Sequence, residues 1–350
     1  MNKSRNSLPD IDTGKGYTVS ARLNSTVPSA NYAQRTVVTS DGVRLAVRDY
    51  GASGDSLHTV VLLHGLCLTQ ESWALQVRLL TRRWGNAVRI ISYDHRGHGG
   101  SAGAAMHTYR VERLAADLGD ILKALRVTGP LTLVGHSLGG MTALAYLSRP
   151  ELDRPVQVAG LVLIATAAGR LSERGLGRVL ATPATRVLFD LVGRMPRRTT
   201  DQTIKGVTRP VGAALARCAG PERLAGHGFV AVAAELIRAA SPATAAGFLL
   251  DLKDYDVSGS LASIRAKTIV ISGANDMTTP DAHARDLVAA IPGAMHLQLP
   301  AAGHMLLLDA PHSVSTAINR AMGLHRRPGW TAKAWATRHG LPSSAIPVAS

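Results

Sequence analysis

The chain has 350 residues, enough for one large domain or two of ordinary size, and its 46% hydrophobic content is enough for a sizeable core. A net charge of +15 raises the question of nucleic acid, but the basic residues are mostly scattered arginines, aromatics are only 4%, and no recognition motif accompanies them, so a nucleic-acid partner is excluded. Two cysteines, Cys67 and Cys218, make neither a disulfide framework nor a metal-ligand cluster, no stretch reaches the roughly 18 apolar residues of a membrane helix, and no apolar h-region follows the charged N-terminus, so a cytoplasmic protein is expected.

Residues 1–35 are rich in Ser, Asn, Thr and Gly and read as a flexible leader. Order is expected from about Thr36, with hairpin strands over 35–39 and 43–50 around an Asp41-Gly42 turn. Residues 58–63 and 88–93 are continuous apolar runs ending at His64-Gly65 and at Asp94, the pattern of parallel strands buried on both faces. Between them, residues 71–84 have helical spacing, with Trp73, Val77, Leu80 and Trp84 on one face. A helix over 109–125, a strand over 131–134, a helix after Ser137 and a strand over 158–164 continue the alternation. Such a series requires a mostly parallel central sheet with helices on both faces.

The pattern lapses from 167 to 250 into amphipathic helical pieces broken by Gly and Pro. It resumes with strands over 267–272 and 295–299 and helices over 280–290 and 311–324. The expected organisation is an α/β core over 36–166 plus 251–323, a helical cap or lid inserted over 167–250, and a basic tail over 324–350. Both cysteines read as small buried apolar residues. No repeat and no dinucleotide fingerprint is present, since the glycines surround a serine and lack the G-x-G-x-x-G order.

That serine is the centre of the chemistry. Residues 131–140 form an apolar run that stops at Ser137, with Gly135 two residues before it and Gly139 two after. A strand leading in and a helix leading out force the chain to reverse over about five residues, leaving Ser137 at the tip of a strained turn. Gly135 and Gly139 remove Cβ atoms that would collide with neighbouring backbone. The hydroxyl then stands beside backbone N–H groups at a helix start, where negative charge is favoured.

Four separated pieces make residues 36–323 resemble the α/β-hydrolase family, in its serine-nucleophile, esterase- and lipase-like branch with a helical cap. They are His64-Gly65 with Trp73 downstream, the loop from Asp94 to Ser101, the elbow Gly135-His136-Ser137-Leu138-Gly139-Gly140, and the late pair Gly273-Ala274-Asn275-Asp276 and Ala302-Gly303-His304. The resemblance implies a catalytic triad of Ser137, Asp276 and His304 in that chain order, and an oxyanion hole made by the backbone N–H groups of Leu66 and Leu138. A serine hydroxyl needs a base to take its proton, and His304 lies in a loop directly after the last strand; Asp276, after the preceding strand, would hold that imidazole in the right tautomer.

Other residues compete for these roles. His95, His98 and His136 lie in nearby glycine-rich loops and read as loop structure; Asp281 reads as a first-turn helix residue and Asp256 as structural or solvated. Some members carry the acid after the strand ending near Ile164, but residues 165–168 contain no carboxylate. Asp94 and Arg96 are expected to fix loops by hydrogen bonds, and Cys67 to pack as an apolar residue. The segment 167–250 holds 12 Lys and Arg against 5 Asp and Glu, a net +7, which reads as solvated helix faces or as a lid attracted to anionic lipid or acidic substrates.

The expectation is cleavage of a carboxylic ester, small or lipid-like, through an acyl-enzyme, with no metal and no organic cofactor required. Contact with an anionic membrane would be peripheral at most, and the oligomeric state is left open. Thioesterase, C–C bond hydrolase and cofactor-free perhydrolase share the triad, and a ligand-binding protein that has lost turnover is the alternative outside enzymes.

Overall fold

The computed structural model describes residues 31–51, 56–174 and 239–324. Its chain order is β1 (Ala33–Val38), β2 (Arg44–Tyr50), β3 (His58–Leu63), α1 (Ala74–Trp84), β4 (Val88–Tyr93), α2 (Val111–Ala124), β5 (Leu131–His136), α3 (Leu138–Ser148), β6 (Val158–Ile164), α4 (Pro242–Leu252), β7 (Lys267–Gly273), α5 (Asp281–Ala290), β8 (Met295–Leu299), α6 (Leu306–Asp309) and α7 (Pro311–Met322). The strands form one eight-stranded sheet in the order β1-β2-β4-β3-β5-β6-β7-β8. Only β2 runs antiparallel to its neighbours, β1 and β4; the remaining pairs are parallel.

The continuous apolar runs are explained by the two cores they separate. Val61, Leu63, Leu133, Leu161 and Leu163 face one core with Leu114, Leu118, Leu144 and Phe248. Val60, Leu62, Val134, Val162 and Ile164 face the other with Trp73, Val77, Leu80, Trp84 and Ile318. A strand covered on both faces needs apolar residues at every position, so it shows no polar alternation.

From β3 the chain moves to one side of the sheet for β4 and to the other for β5, so β3 and β5 flank the switch point, where the loops leaving the strand ends diverge and open a crevice. The loops leaving them carry Leu66 and Ser137. A Cβ on Gly139 would run into Leu63 O, and one on Gly135 into the backbone of Gly139 and Gly140, so only glycines allow α3 to start this close to both strands.

Arg96 anchors the loop after β4. Its guanidinium is fully buried and bonds Asp117 of α2 at 2.7 and 2.7 Å and Asp41 of the β1–β2 turn at 2.9 and 3.0 Å. The Arg96 hydrogen bond also holds the Asp41 carboxyl well below the usual carboxylate range. Asp94 accepts the Gln70 N–H at 2.7 Å and the Gly100 N–H at 2.9 Å, so both expected anchors are in place. Asp117→Ala would leave a buried guanidinium short of one partner. Its expected cost is about 3 kcal/mol, read as a lowered urea midpoint; an unchanged midpoint would contradict this account of the loop.

Several expected limits shift. β1 begins at Ala33, inside the segment expected as leader, because an exposed edge strand of mixed polarity lacks an apolar signature. Helix α4 runs through the cap boundary placed at 250, and its Phe248 is fully buried in the first core. The middle of the expected cap, residues 175–238, lies outside the described residues, as do Cys218, residues 1–30 of the leader and residues 325–350 of the tail. Cys67 is a free, buried thiol. Among the described residues no helix is long and apolar enough to cross a membrane.

Candidate active site

Ser137 stands between β5 and α3 at φ 51 and ψ −117, a backbone conformation that a residue with a Cβ adopts only when its surroundings enforce it. The enforcement is visible. Its N–H donates to Ile164 O at 2.9 Å, and its carbonyl accepts the Thr166 hydroxyl at 2.7 Å and the Gly140 N–H at 2.9 Å. Leu138, the first residue of α3, has no intrahelical acceptor for its N–H. Leu66 lies in a turn closed by Leu68 N–H to Gly65 O at 3.1 Å. Neither the Leu66 nor the Leu138 N–H donates to another described residue. A Cβ on Gly65 would lie 3.3 Å from Ser137 Cβ and 2.9 Å from His136 Nδ1, which measures how closely the loop after β3 abuts the elbow.

Asp276 and His304, carried by the loops after β7 and β8, meet directly. The Asp276 side chain is fully buried and saturated: Oδ1 accepts the N–H groups of Thr278 at 2.8 Å and Thr279 at 2.9 Å, and Oδ2 accepts the Thr279 hydroxyl at 2.8 Å and His304 Nδ1–H at 2.8 Å. Burial alone would raise the carboxyl, but the His304 charge and hydrogen bond together with the Thr279 donors bring it below its ordinary value. Because Nδ1 carries the proton given to Asp276, His304 Nε2 is left bare to act as an acceptor. The His304 carbonyl accepts His136 Nε2–H at 2.9 Å, and the two rings are 5.0 Å apart, so the residue before Ser137 seats the histidine loop. Asp309 holds the same loop by accepting the Gly303 N–H at 3.2 Å. No hydrogen bond joins Ser137 Oγ to His304 Nε2 among the described residues, a contact that commonly tightens only with substrate bound.

His64 of the oxyanion loop and the competing histidines each bond the backbone. His64 Nδ1–H donates to Gly65 O at 2.8 Å while its Nε2 accepts the His95 N–H at 2.9 Å; His95 Nε2–H donates to His64 O at 3.1 Å; His98 Nδ1–H donates to Arg96 O at 3.1 Å. Burial pushes His64 down to about 4, and His98 and His136 down to about 3, so these rings stay neutral near pH 7. Of these rings and His304, only His304 pairs with a carboxylate. Among the described residues no group of three His, Cys, Asp or Glu is arranged to hold a metal ion.

Asp281 is the first residue of α5, as expected, and accepts from Ser272 Oγ at 2.6 Å. Asp256 accepts the Ser258 N–H at 2.8 Å and is a local turn residue. Two residues escaped the sequence reading. Thr166 lies in the segment 165–168, searched only for a carboxylate, and it ties down the Ser137 carbonyl. Thr279 was recoverable, since threonine three residues after an aspartate is a pattern for side chain-to-backbone turns.

A serine on a strained strand-to-helix elbow at the C-terminal end of a central strand, with an Asp–His pair carried by the loops after the last two strands, defines an α/β-hydrolase arrangement. The chain belongs to the alpha/beta hydrolase fold family, whose model matches residues 58–311. It is 29% identical over 252 residues to "Putative carbamate hydrolase RutD" of Klebsiella pneumoniae strain 342, covering 70% of this chain and 84% of that protein. A shorter match, 36% over 133 residues and 37% of this chain against 43% of the relative, is to a non-heme chloroperoxidase of Streptomyces lividans. Among solved structures, a hydrolase from Pseudomonas aeruginosa is similar at 26% identity and a TM-score of 0.64, over 83% of this chain and 98% of that one. The esterase EaEST from Exiguobacterium antarcticum shares the fold at 22% identity and a TM-score of 0.66, over 83% and 100%.

Proposed function

We propose that the protein is a serine hydrolase that cleaves carboxylic esters of small or lipid-like molecules. The observation that carries this reading is the 2.8 Å bond between His304 Nδ1–H and the saturated Asp276 carboxylate, on the loops beside the Ser137 elbow. In the first step Ser137 Oγ bonds to the substrate carbonyl carbon while His304 Nε2 takes the hydroxyl proton. The negative carbonyl oxygen is met by the N–H groups of Leu66 and Leu138, and the Asp276 carboxylate stabilises the imidazolium. Collapse breaks the bond to the alcohol, which leaves with the His304 proton. Water, deprotonated by the same histidine, then releases the acid and restores the serine. The steps use only this chain's own groups and water.

Carbamate cleavage is the second reading, favoured by the name borne by relatives matched over most of their length. It uses the same attack, with a nitrogen on the carbonyl. A fluorophosphonate probe tests the nucleophile: folded protein is expected to be labelled stoichiometrically, and no labelling, or labelling that survives Ser137→Ala, would sink the reading. p-Nitrophenyl esters of increasing chain length, run beside a matched thioester and a matched carbamate, then rank the substrate classes. Turnover confined to the carbamate would select the second reading.

A further inference from the structure

Cys67 follows Leu66, and its backbone stands at φ 56, a left-handed conformation that is strained for a residue with a Cβ. Leu68 N–H donates to Gly65 O, so residues 65–68 form a hydrogen-bonded turn with Cys67 third. With Leu66 outside the positive-φ residues, a positive φ at Cys67 marks a type II turn; the type I alternative has a negative φ there and differs by a flip of the central peptide, the one joining Leu66 C=O to Cys67 N–H.

That central peptide is held from outside the turn. Cys67 N–H donates to His98 Nε2 at 3.2 Å. The His98 ring is itself fixed, because Nδ1–H donates to Arg96 O and the ring packs on Phe248 of α4 with centroids 5.8 Å apart. The next residue, Gly99, donates its N–H to Ala239 O at 2.7 Å, so the whole loop is pinned. Burial keeps the ring neutral, with its pKa near 3, which preserves Nε2 as an acceptor.

We infer that His98 is a positioning residue for the oxyanion loop: by accepting the Cys67 N–H it holds the 65–68 turn in its type II form, and with it the Leu66 N–H beside Ser137. The inference rests on the proposed acyl transfer. His98 acts through Cys67, at one remove from the substrate. Without the acceptor the central peptide can flip, relieving the Cys67 strain; the Leu66 N–H lies on the peptide before it, and it then loses the single fixed turn that aims it beside Ser137. A misplaced oxyanion donor weakens the transition state more than ground-state binding.

The test is steady-state kinetics on the best ester, with rates expressed per serine titrated to endpoint by fluorophosphonate. His98→Phe keeps a ring against Phe248 and removes the acceptor; kcat is expected to fall by about tenfold or more with KM within about twofold. His98→Gln offers Oε1 at similar reach and is expected to recover most of the loss. Glycine adopts φ 56 without strain, so Cys67→Gly in the His98→Phe background is expected to restore much of the lost kcat, relative to Cys67→Gly alone. An unchanged kcat in His98→Phe, a loss carried by KM, or a loss that Cys67→Gly leaves in full overturns the inference.

If His98→Phe does not fold, Cys67→Val asks the same question with His98 intact. Valine resists a positive φ, so kcat must fall while KM holds and His98→Gln stays active; an unchanged kcat overturns the inference. Failure of the unsubstituted protein to label at Ser137 would instead sink the acyl-transfer reading, so the two failures are distinguishable.

Discussion

Replacing Ser137 by alanine is expected to lower kcat on any ester the protein turns over by about four orders of magnitude or more, with the fold retained. The substitution removes the attacking oxygen and leaves the rest of the arrangement in place. The Asp276–His304 pair is held by Thr278, Thr279 and the His136 contact, none of which uses the serine hydroxyl. The elbow is held through the Ser137 backbone, by Ile164 O, Thr166 Oγ1 and Gly140 N, and alanine keeps all three bonds. The variant therefore should unfold at close to the parent temperature and bind substrate with little change. The residual rate, carried by the oxyanion donors and by bound water, should still exceed the uncatalysed one. A loss of less than about tenfold in kcat, with folding intact, would show that another group makes the bond.

Stability should fall steeply in mild acid. His64, His98 and His136 are enclosed, and burial lowers them from 6.5 to about 4, about 3 and about 3. His58 and His95 shift in the same direction for the same reason. In the unfolded chain these rings take up protons as pH falls through 6.5, whereas in the folded protein they do so only near their lowered values. Between about pH 6 and 4 the unfolded state thus holds protons that the native state excludes, and folding free energy drops as pH drops. Three such rings give a slope of about 4 kcal/mol per pH unit, set against the 5–15 kcal/mol of an ordinary domain. Asp276 adds to this at lower pH: its lowered carboxyl contributes stability above its unfolded value that is lost as pH falls through the folded one. Urea midpoints should be nearly level from pH 8 to 7 and fall sharply below 6. Equal midpoints at pH 7 and pH 5 would contradict the enclosure of these histidines.

Both results turn on how far linear order foretells enclosure. The strands over 58–63, 88–93 and 158–164 were legible to the residue, because a strand covered on both faces is a largely apolar run ended by glycine or a polar residue. The elbow was legible for a related reason. Its glycines answer to clashes within one short segment, and those clashes are fixed by local geometry. The edge strand β1 was read two residues late, since a strand with one wet face of mixed polarity carries no comparable pattern. Helix α4 was divided at 250 because its burial depends on Phe248 meeting His98 and Tyr109, partners more than 130 residues earlier in the chain.

The candidate site divides in the same way. Ser137, Asp276 and His304 could be picked from the sequence because each follows a recognisable strand, and the order of strands in a parallel sheet sends their C-terminal loops to one edge. What the sequence could not decide is how those loops are held. Thr166 on the Ser137 carbonyl, His136 on the His304 carbonyl and His98 on the Cys67 N–H are side chain-to-backbone bonds across 29, 168 and 31 residues. A side chain that serves a distant peptide leaves no periodicity and no spacing rule behind it. Residue types and local turns fixed the cast of chemical groups; only the side-by-side packing of the strands from β4 through β3, β5, β6 and β7 to β8 brought each group's support within hydrogen-bond reach.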